Sequence, residues 1–113
     1  MKGIIQYELH RKDVLNQIHD KKKLKKIDII TLFYINEMNA TKIYVRRLRK
    51  LMYNTSSSEI ASSLKNLESL GYFKKKRDVQ DERKIILFDI DLEAIRDTLD
   101  FIEETLDEKG LKF

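Results

Sequence analysis

The rhythm of the apolar residues changes abruptly at Gly71, and that change restricts the fold more than any other feature of the chain. Before it, Ile60, Leu64 and Leu67, with Ala61, recur at helical spacing behind Ser56-x-x-Glu59. A Ser hydroxyl and a Glu carboxylate three residues apart can satisfy each other's orphan backbone N–H, so that pattern marks a helix start. Gly71, just past Leu70, supplies a left-handed stop. After it, Tyr72-Phe73 leads into Lys74-Lys75-Lys76-Arg77, Val79-Gln80 sit at a turn, and Arg83-Lys84-Ile85-Ile86-Leu87-Phe88 returns. The β-branched and aromatic content lies at the base and the charge at the tip, which predicts a two-stranded ribbon anchored in a core and projecting from it. Residues 55–90 therefore read as one unit, a capped helix followed by a basic hairpin.

The rest of the chain fits around that unit. From Gly3 to about His19, Ile4, Tyr7, Val14, Leu15 and Ile18 form a broad helical stripe, with Ile5 and Leu9 partly outside it. The run Lys21-Lys22-Lys23-Leu24-Lys25-Lys26 reads as a solvated helix end. Asp28 is positioned to cap a second helix, Ile29 to Glu37, that is apolar nearly all round and so belongs in the middle of the fold. Lys42-Ile43-Tyr44 has the content of a very short strand, and Val45, Leu48 and Met52, with Leu51 beside them, mark a short third helix with Arg46, Arg47, Arg49 and Lys50 outside. In the last segment Leu92, Ile95, Leu99, Ile102 and Leu106 recur at steps of three and four inside an acidic exterior, the rhythm of a helix that packs along a seam. A long helix after a compact ribbon has little of its own domain left to cover it, so this stripe is expected to be a dimer interface.

Several function classes drop out on composition. With no Cys there is no disulfide, thiol switch or Cys-ligated metal. His10 and His19 lie nine residues apart on one expected helix, on opposite sides and too far apart to share an ion, so no metal and no cofactor is expected. No stretch approaches a membrane span and the N-terminus lacks a signal-peptide core, which points to a cytoplasmic protein. No nucleophile–His pairing supports catalysis. The 113 residues suit one domain that gains from a partner. It divides into 1–26, an N-terminal dimerisation helix and linker, 27–90, the core, and 91–113, a C-terminal dimerisation helix.

Charge is unevenly spread. Residues 21–88 carry 17 Lys or Arg against 7 Asp or Glu, whereas residues 89–113 carry 3 against 9. A basic face meant for a polyanion is thereby joined to an acidic face kept away from it.

A helix, a short turn, a capped helix and a basic hairpin follow in the order of a winged helix-turn-helix, a mainly α fold with a small β-hairpin (α+β). In that arrangement the second helix of the pair enters the major groove of duplex DNA, while Arg and Lys neutralise phosphates. The candidate groove-facing residues are Ser57, Ser58, Ser62, Lys65 and Asn66, and Arg46, Arg47 and Lys50 are candidates for the flanking backbone. On the ribbon, Lys75, Arg77 and Arg83 are added; Arg83 at the tip is placed to reach an adjacent minor groove, where a narrow A·T-rich form concentrates negative potential. Asp78, Asp81 and Glu82 are expected to fix the arginine and the turn by charge-assisted hydrogen bonds.

The stretch Gly71-Tyr72-Phe73-Lys74-Lys75-Lys76-Arg77-Asp78-Val79-Gln80-Asp81-Glu82-Arg83-Lys84 resembles the wing of the SarA family, a small branch of the MarR-type winged-helix regulators. Lys-Lys-Arg followed by Asp-Glu-Arg is the most specific mark, and Asp78, Asp81 and Arg83 match the broader MarR wing. A looser resemblance extends over residues 27–88. It implies a homodimeric transcription regulator, dimerising through its N- and C-terminal helices, that acts at A·T-rich promoters, in Gram-positive cocci often those of virulence or adaptation genes. Arg77, Asp81, Glu82 and Arg83 are the wing positions it singles out. The chain departs from relatives that sense oxidation through a single cysteine, and it is shorter than a typical ligand-sensing MarR protein. A winged-helix module that meets an acidic protein, and an RNA-binding use of the same surface, are the competing readings.

Overall fold

An apolar helix belongs where most of its sides are covered, and the second helix is covered on all but the side that carries Phe33, which is 49% exposed. The structure, a computed structural model, describes residues 2–108. In order these form α1 (Lys2–Lys22), α2 (Lys26–Met38), β1 (Ile43–Tyr44), α3 (Val45–Leu51), α4 (Ser57–Ser69), β2 (Lys74–Arg77), β3 (Ile85–Phe88) and α5 (Leu92–Glu108). Ile29, Leu32 and Ile35 of α2 are buried, and α2 packs against α3, α4 and α5.

α2 starts one turn earlier than Asp28 suggests. Lys25, in extended backbone, is the N-cap, and Asp28 occupies the third helical position, from which its Oδ2 accepts the Lys25 N–H at 2.9 Å. Asp28 is therefore the return half of a capping arrangement rather than the cap itself, and it is buried at 1% exposure. The helix ends on Asn39 in the left-handed region, φ 47°, a conformation that Asn tolerates better than most residues.

At α4 the local signals hold. The Ser56 hydroxyl accepts the Glu59 N–H at 3.2 Å, while the Glu59 carboxylate turns to the Ser56 hydroxyl rather than to its N–H. At the other end Tyr72 N–H reaches Leu67 O at 3.2 Å and Gly71 N–H reaches Glu68 O at 3.0 Å, the paired bonds of a left-handed helix stop, with Gly71 at φ 91°. The chain thus leaves α4 sharply toward β2, with Tyr72 and Phe73 buried at the base of the ribbon.

The hairpin is part of a three-stranded antiparallel sheet in the order β1-β3-β2. Ile43 pairs with Leu87 and Tyr44 with Ile86, while Lys74 to Arg77 pair in turn with Phe88 to Ile85. Two residues of β1 therefore bind the root of the wing to the start of α3.

α5 spends part of the expected seam inside the chain. Ile95, Ile102 and Leu106 are buried within this chain's own core, and Leu92 and Leu99 pack half-buried against it. α5 packs against α2 and α1, so much of the burial that the regular spacing reports is met within the chain. Val14, Ile18 and Leu24 join the same core from the N-terminal side. The segments expected to serve dimerisation also contribute side chains to the core of the domain; residues 109–113 of the last lie outside the described residues. The unsatisfied apolar surface is elsewhere. The expected stripe of α1 splits, with Val14 and Ile18 buried but Ile4, Ile5, Tyr7 and Leu9 exposed. Between α2 and α5 runs a groove of about 800 Å³ lined by Ile30, Phe33, Tyr34, Leu99 and Ile102, with Asp100, Glu103 and Asp107 also on its α5 side.

Candidate nucleic-acid interface

α4 presents a polar outer face because Ile60, Leu64 and Leu67 take its inner one. Ser57, Ser58, Ser62 and Lys65 are all exposed, spaced so that Ser58, Ser62 and Lys65 share one side of the helix. Ser58 Oγ lies 3.3 Å from Ser56 Oγ and so takes part in the cap. Asn66 does not belong to this set. Its side-chain amide turns inward, donating to Asp28 Oδ2 at 2.8 Å and to the Lys23 carbonyl at 3.1 Å, and the residue is half-buried. Asn66 is a tie between α4 and the start of α2, a correction to its expected place among the groove-facing residues. Ser63, at the margin in sequence terms, is buried and donates to Asp28 Oδ1 at 2.7 Å.

α3 supplies the cations. Arg46, Arg47, Arg49 and Lys50 are exposed around Val45 and Leu48, which are buried. Two adjoining clefts of about 400 Å³ each run from α3 to the wing, one lined by Tyr44, Arg46, Arg47, Lys50 and Lys84, the other by Arg46, Arg49, Asp81, Arg83 and Lys84, among others. Among the described residues Arg46, Arg47, Arg49, Lys50 and Lys84 form no ion pair. These like charges, with Asp81 the carboxylate among the cleft-lining residues, repel one another, and a polyanion relieves that repulsion. Sequence reading missed Tyr44, Arg49 and Lys84 as members of this surface. The pairing of β1 with β3 brings Tyr44 and the wing together, and that contact is not written in local sequence.

At the wing tip, Asp81 organises Arg83 twice over: its Oδ1 accepts both the Arg83 backbone N–H at 3.1 Å and the guanidinium Nε–H at 3.2 Å. These bonds from Arg83 hold the Asp81 carboxyl below its ordinary value of 3.8. The Arg83 side chain nonetheless stays 92% exposed, so it is oriented without being covered. Asp78 fixes the turn instead: Oδ1 accepts Gln80 N–H at 3.1 Å, and Oδ2 accepts the Tyr44 hydroxyl at 3.4 Å. Glu82 works through its backbone, its carbonyl accepting Arg77 Nη1–H at 2.8 Å while its carboxylate stays out in solvent. Lys75 has its N–H taken by Glu68 Oε2 at 2.7 Å, which ties the end of α4 to β2.

No group of three or more His, Cys, Asp or Glu among the described residues is arranged to hold a metal ion, and no helix among them is long and apolar enough to cross a membrane.

Residues 13–91 match the family model described as transcriptional regulator SarA/Rot. The chain belongs to the SarA/Rot family of transcriptional regulators. Curated proteins yield no match by sequence. Among solved structures the SarA/Rot chain resembles MarR (TM-score 0.70, 17% identity, covering 96% of this chain and 77% of that one). It also resembles YusO from Bacillus subtilis (0.71, 13%, 97% and 76%) and MepR from S. aureus, solved as a DNA complex (0.68, 14%, 97% and 86%). At these identities the likeness is one of fold, the winged helix of MarR-type regulators.

Proposed function

We propose that this SarA/Rot protein is a cytoplasmic homodimer that binds duplex DNA and regulates transcription, with α4 in the major groove and the wing at the adjacent minor groove. The observation that carries this reading is the presence of two surfaces that sequence order places in one helix-turn-helix: an outward α4 face of Ser57, Ser58, Ser62 and Lys65, and five cations on α3 and the wing that form no ion pair among the described residues. Hydroxyls and an ammonium can meet base edges, and guanidinium groups can meet phosphates. Lys75, Arg77 and Arg83 extend the cationic track along the ribbon, with Asp81 aiming Arg83 and Glu82 holding Arg77 through its carbonyl. An A·T-rich operator, the kind the resemblance implies, suits an exposed, oriented arginine at a narrow minor groove, and control of virulence or adaptation genes is carried by the resemblance alone.

The dimer in this reading is built from the exposed end of α1. Ile4, Ile5 and Leu9 of one copy lie in the groove between α2 and α5 of another, against Phe33 and Leu99 with Ile102 and Leu106 at its floor, while Ile95 stays in the core. Exposed apolar residues on a helix and an apolar groove of matching character favour this seam over solvent.

Two measurements test the reading. Titration of duplex binding against salt is expected to give a log–log slope near −0.9 for each phosphate neutralised; binding that ignores salt sinks it. The pair Ile5→Glu with Leu9→Glu is expected to sediment as a folded monomer with weakened operator binding. A persistent dimer removes α1 from the seam.

A further inference from the structure

Asp28 is a carboxylate at 1% exposure that forms no ion pair among the described residues, and it lies at the start of the central helix rather than on any surface. Its two oxygens accept three hydrogen bonds. Oδ2 takes Lys25 N–H at 2.9 Å and Asn66 Nδ2–H at 2.8 Å, and Oδ1 takes the Ser63 hydroxyl at 2.7 Å. The second Asn66 donor goes to the carbonyl of Lys23, which holds the link between α1 and α2 at φ 60°. No buried side-chain polar atom is left without a partner among the described residues. A buried carboxylate costs free energy unless fully hydrogen-bonded, so an isosteric apolar contact would hold two helices together more simply. The position therefore calls for a reason other than cohesion.

Direction is that reason. Ile60, Leu64 and Leu67 hold α4 against the core, but apolar burial is non-directional and tolerates a helix rolling about its axis. Hydrogen bonds weaken steeply once bent or stretched. Ser63 and Asn66 are three residues apart on α4, on the flank between the outward Ser58, Ser62 and Lys65 and the buried apolar face, and both end on the same carboxylate. A roll of α4 that moved Ser62 and Lys65 would break both.

We propose that Asp28, which reaches no DNA itself, is a positioning residue that fixes the roll of α4 through Ser63 and Asn66 and thereby sets how strictly the protein discriminates between base sequences. This rests on the reading of α4 as the groove-entering helix.

The test compares Asp28→Asn and Ser63→Ala in the full chain with Ile35→Val, a core substitution chosen to lower the thermal midpoint without touching the network. Each is titrated with a duplex that the unaltered protein selects from a random-sequence pool, and with a scrambled duplex of the same composition. The ratio of the two affinities is expected to fall roughly tenfold in Asp28→Asn and by less in Ser63→Ala, since one misplaced base contact is worth about that much. Affinity for the scrambled duplex, and the salt slope of both variants, should stay unchanged. Ile35→Val should keep the full ratio. A ratio retained in both network variants, or lost equally in Ile35→Val, overturns the assignment and leaves Asp28 a stabilising group only. If Asp28→Asn does not fold, Ser63→Ala decides alone. An unaltered protein that selects no sequence overturns the α4 reading and the positioning role with it, whereas an unaltered protein that selects while its variants also select overturns only the latter.

Discussion

α4 is anchored by three aliphatic side chains and by three hydrogen bonds that reach back across the sequence to residues 23 and 28, whereas the tip of the wing is held mainly by bonds between neighbours in its own loop, with one long 3.4 Å bond from the exposed Tyr44 hydroxyl to Asp78. Asp81 with Arg83, Arg77 with the Glu82 carbonyl, and Asp78 N–H with the Lys84 carbonyl all span seven residues or fewer. One element has its direction imposed by the core and the other only its local shape. Base reading needs fixed geometry, and grip on a deformable backbone does not, so the two modes of attachment match the two tasks proposed for them.

The comparison breaks first at Leu64. Truncation of Leu64 to Ala is expected to cost about 2–5 kcal/mol of stability, read by thermal or denaturant unfolding. A loss below about 1 kcal/mol would mean that α4 is not secured by its apolar face. Arg83→Ala should behave in the opposite way, weakening DNA binding by about 1–3 kcal/mol while stability moves by less than about 0.5. Unchanged affinity would take the wing out of the mechanism. Ser56→Ala, which removes the α4 cap, is expected to cost about 1 kcal/mol of stability with the dimer intact.

The smallest effect is the most local. Asp81 has its carboxyl pKa lowered in the folded protein, so the favourable contribution of its bonds is present above the ordinary value of 3.8 and is lost as pH falls through the folded value. Carboxyl titration by NMR should show that midpoint below 3.8, and Arg83→Ala should move it back up toward 3.8. A midpoint unmoved by the substitution would mean that Arg83 does not orient against Asp81.

What could be read from sequence followed the range of the interactions. The α4 cap, the Gly71 stop and the short strand at Ile43 depend on neighbours a few residues away, and all three formed where the pattern put them. The winged-helix order was legible for the same reason. Asn66 was misplaced because it sits at the edge of a polar face, and only its partner 38 residues earlier decides which way it turns. Asp28 looked like a cap because the three-residue spacing that links it to Lys25 works in either direction. The α5 stripe announced that one face is buried, but regular spacing carries no information about whose side chains cover it. The less regular α1 was the one left with exposed aliphatic residues.

The two borders of the small sheet bear on how copies of this protein can share a stretch of DNA. One border is β1, only two residues long; the other is β2, made of three lysines and an arginine, with the Lys75 N–H already engaged by Glu68. Neither offers the long, bare, uncharged strand on which another chain could zip itself. Copies of the protein brought close together are therefore kept from joining wing to wing through their sheet edges.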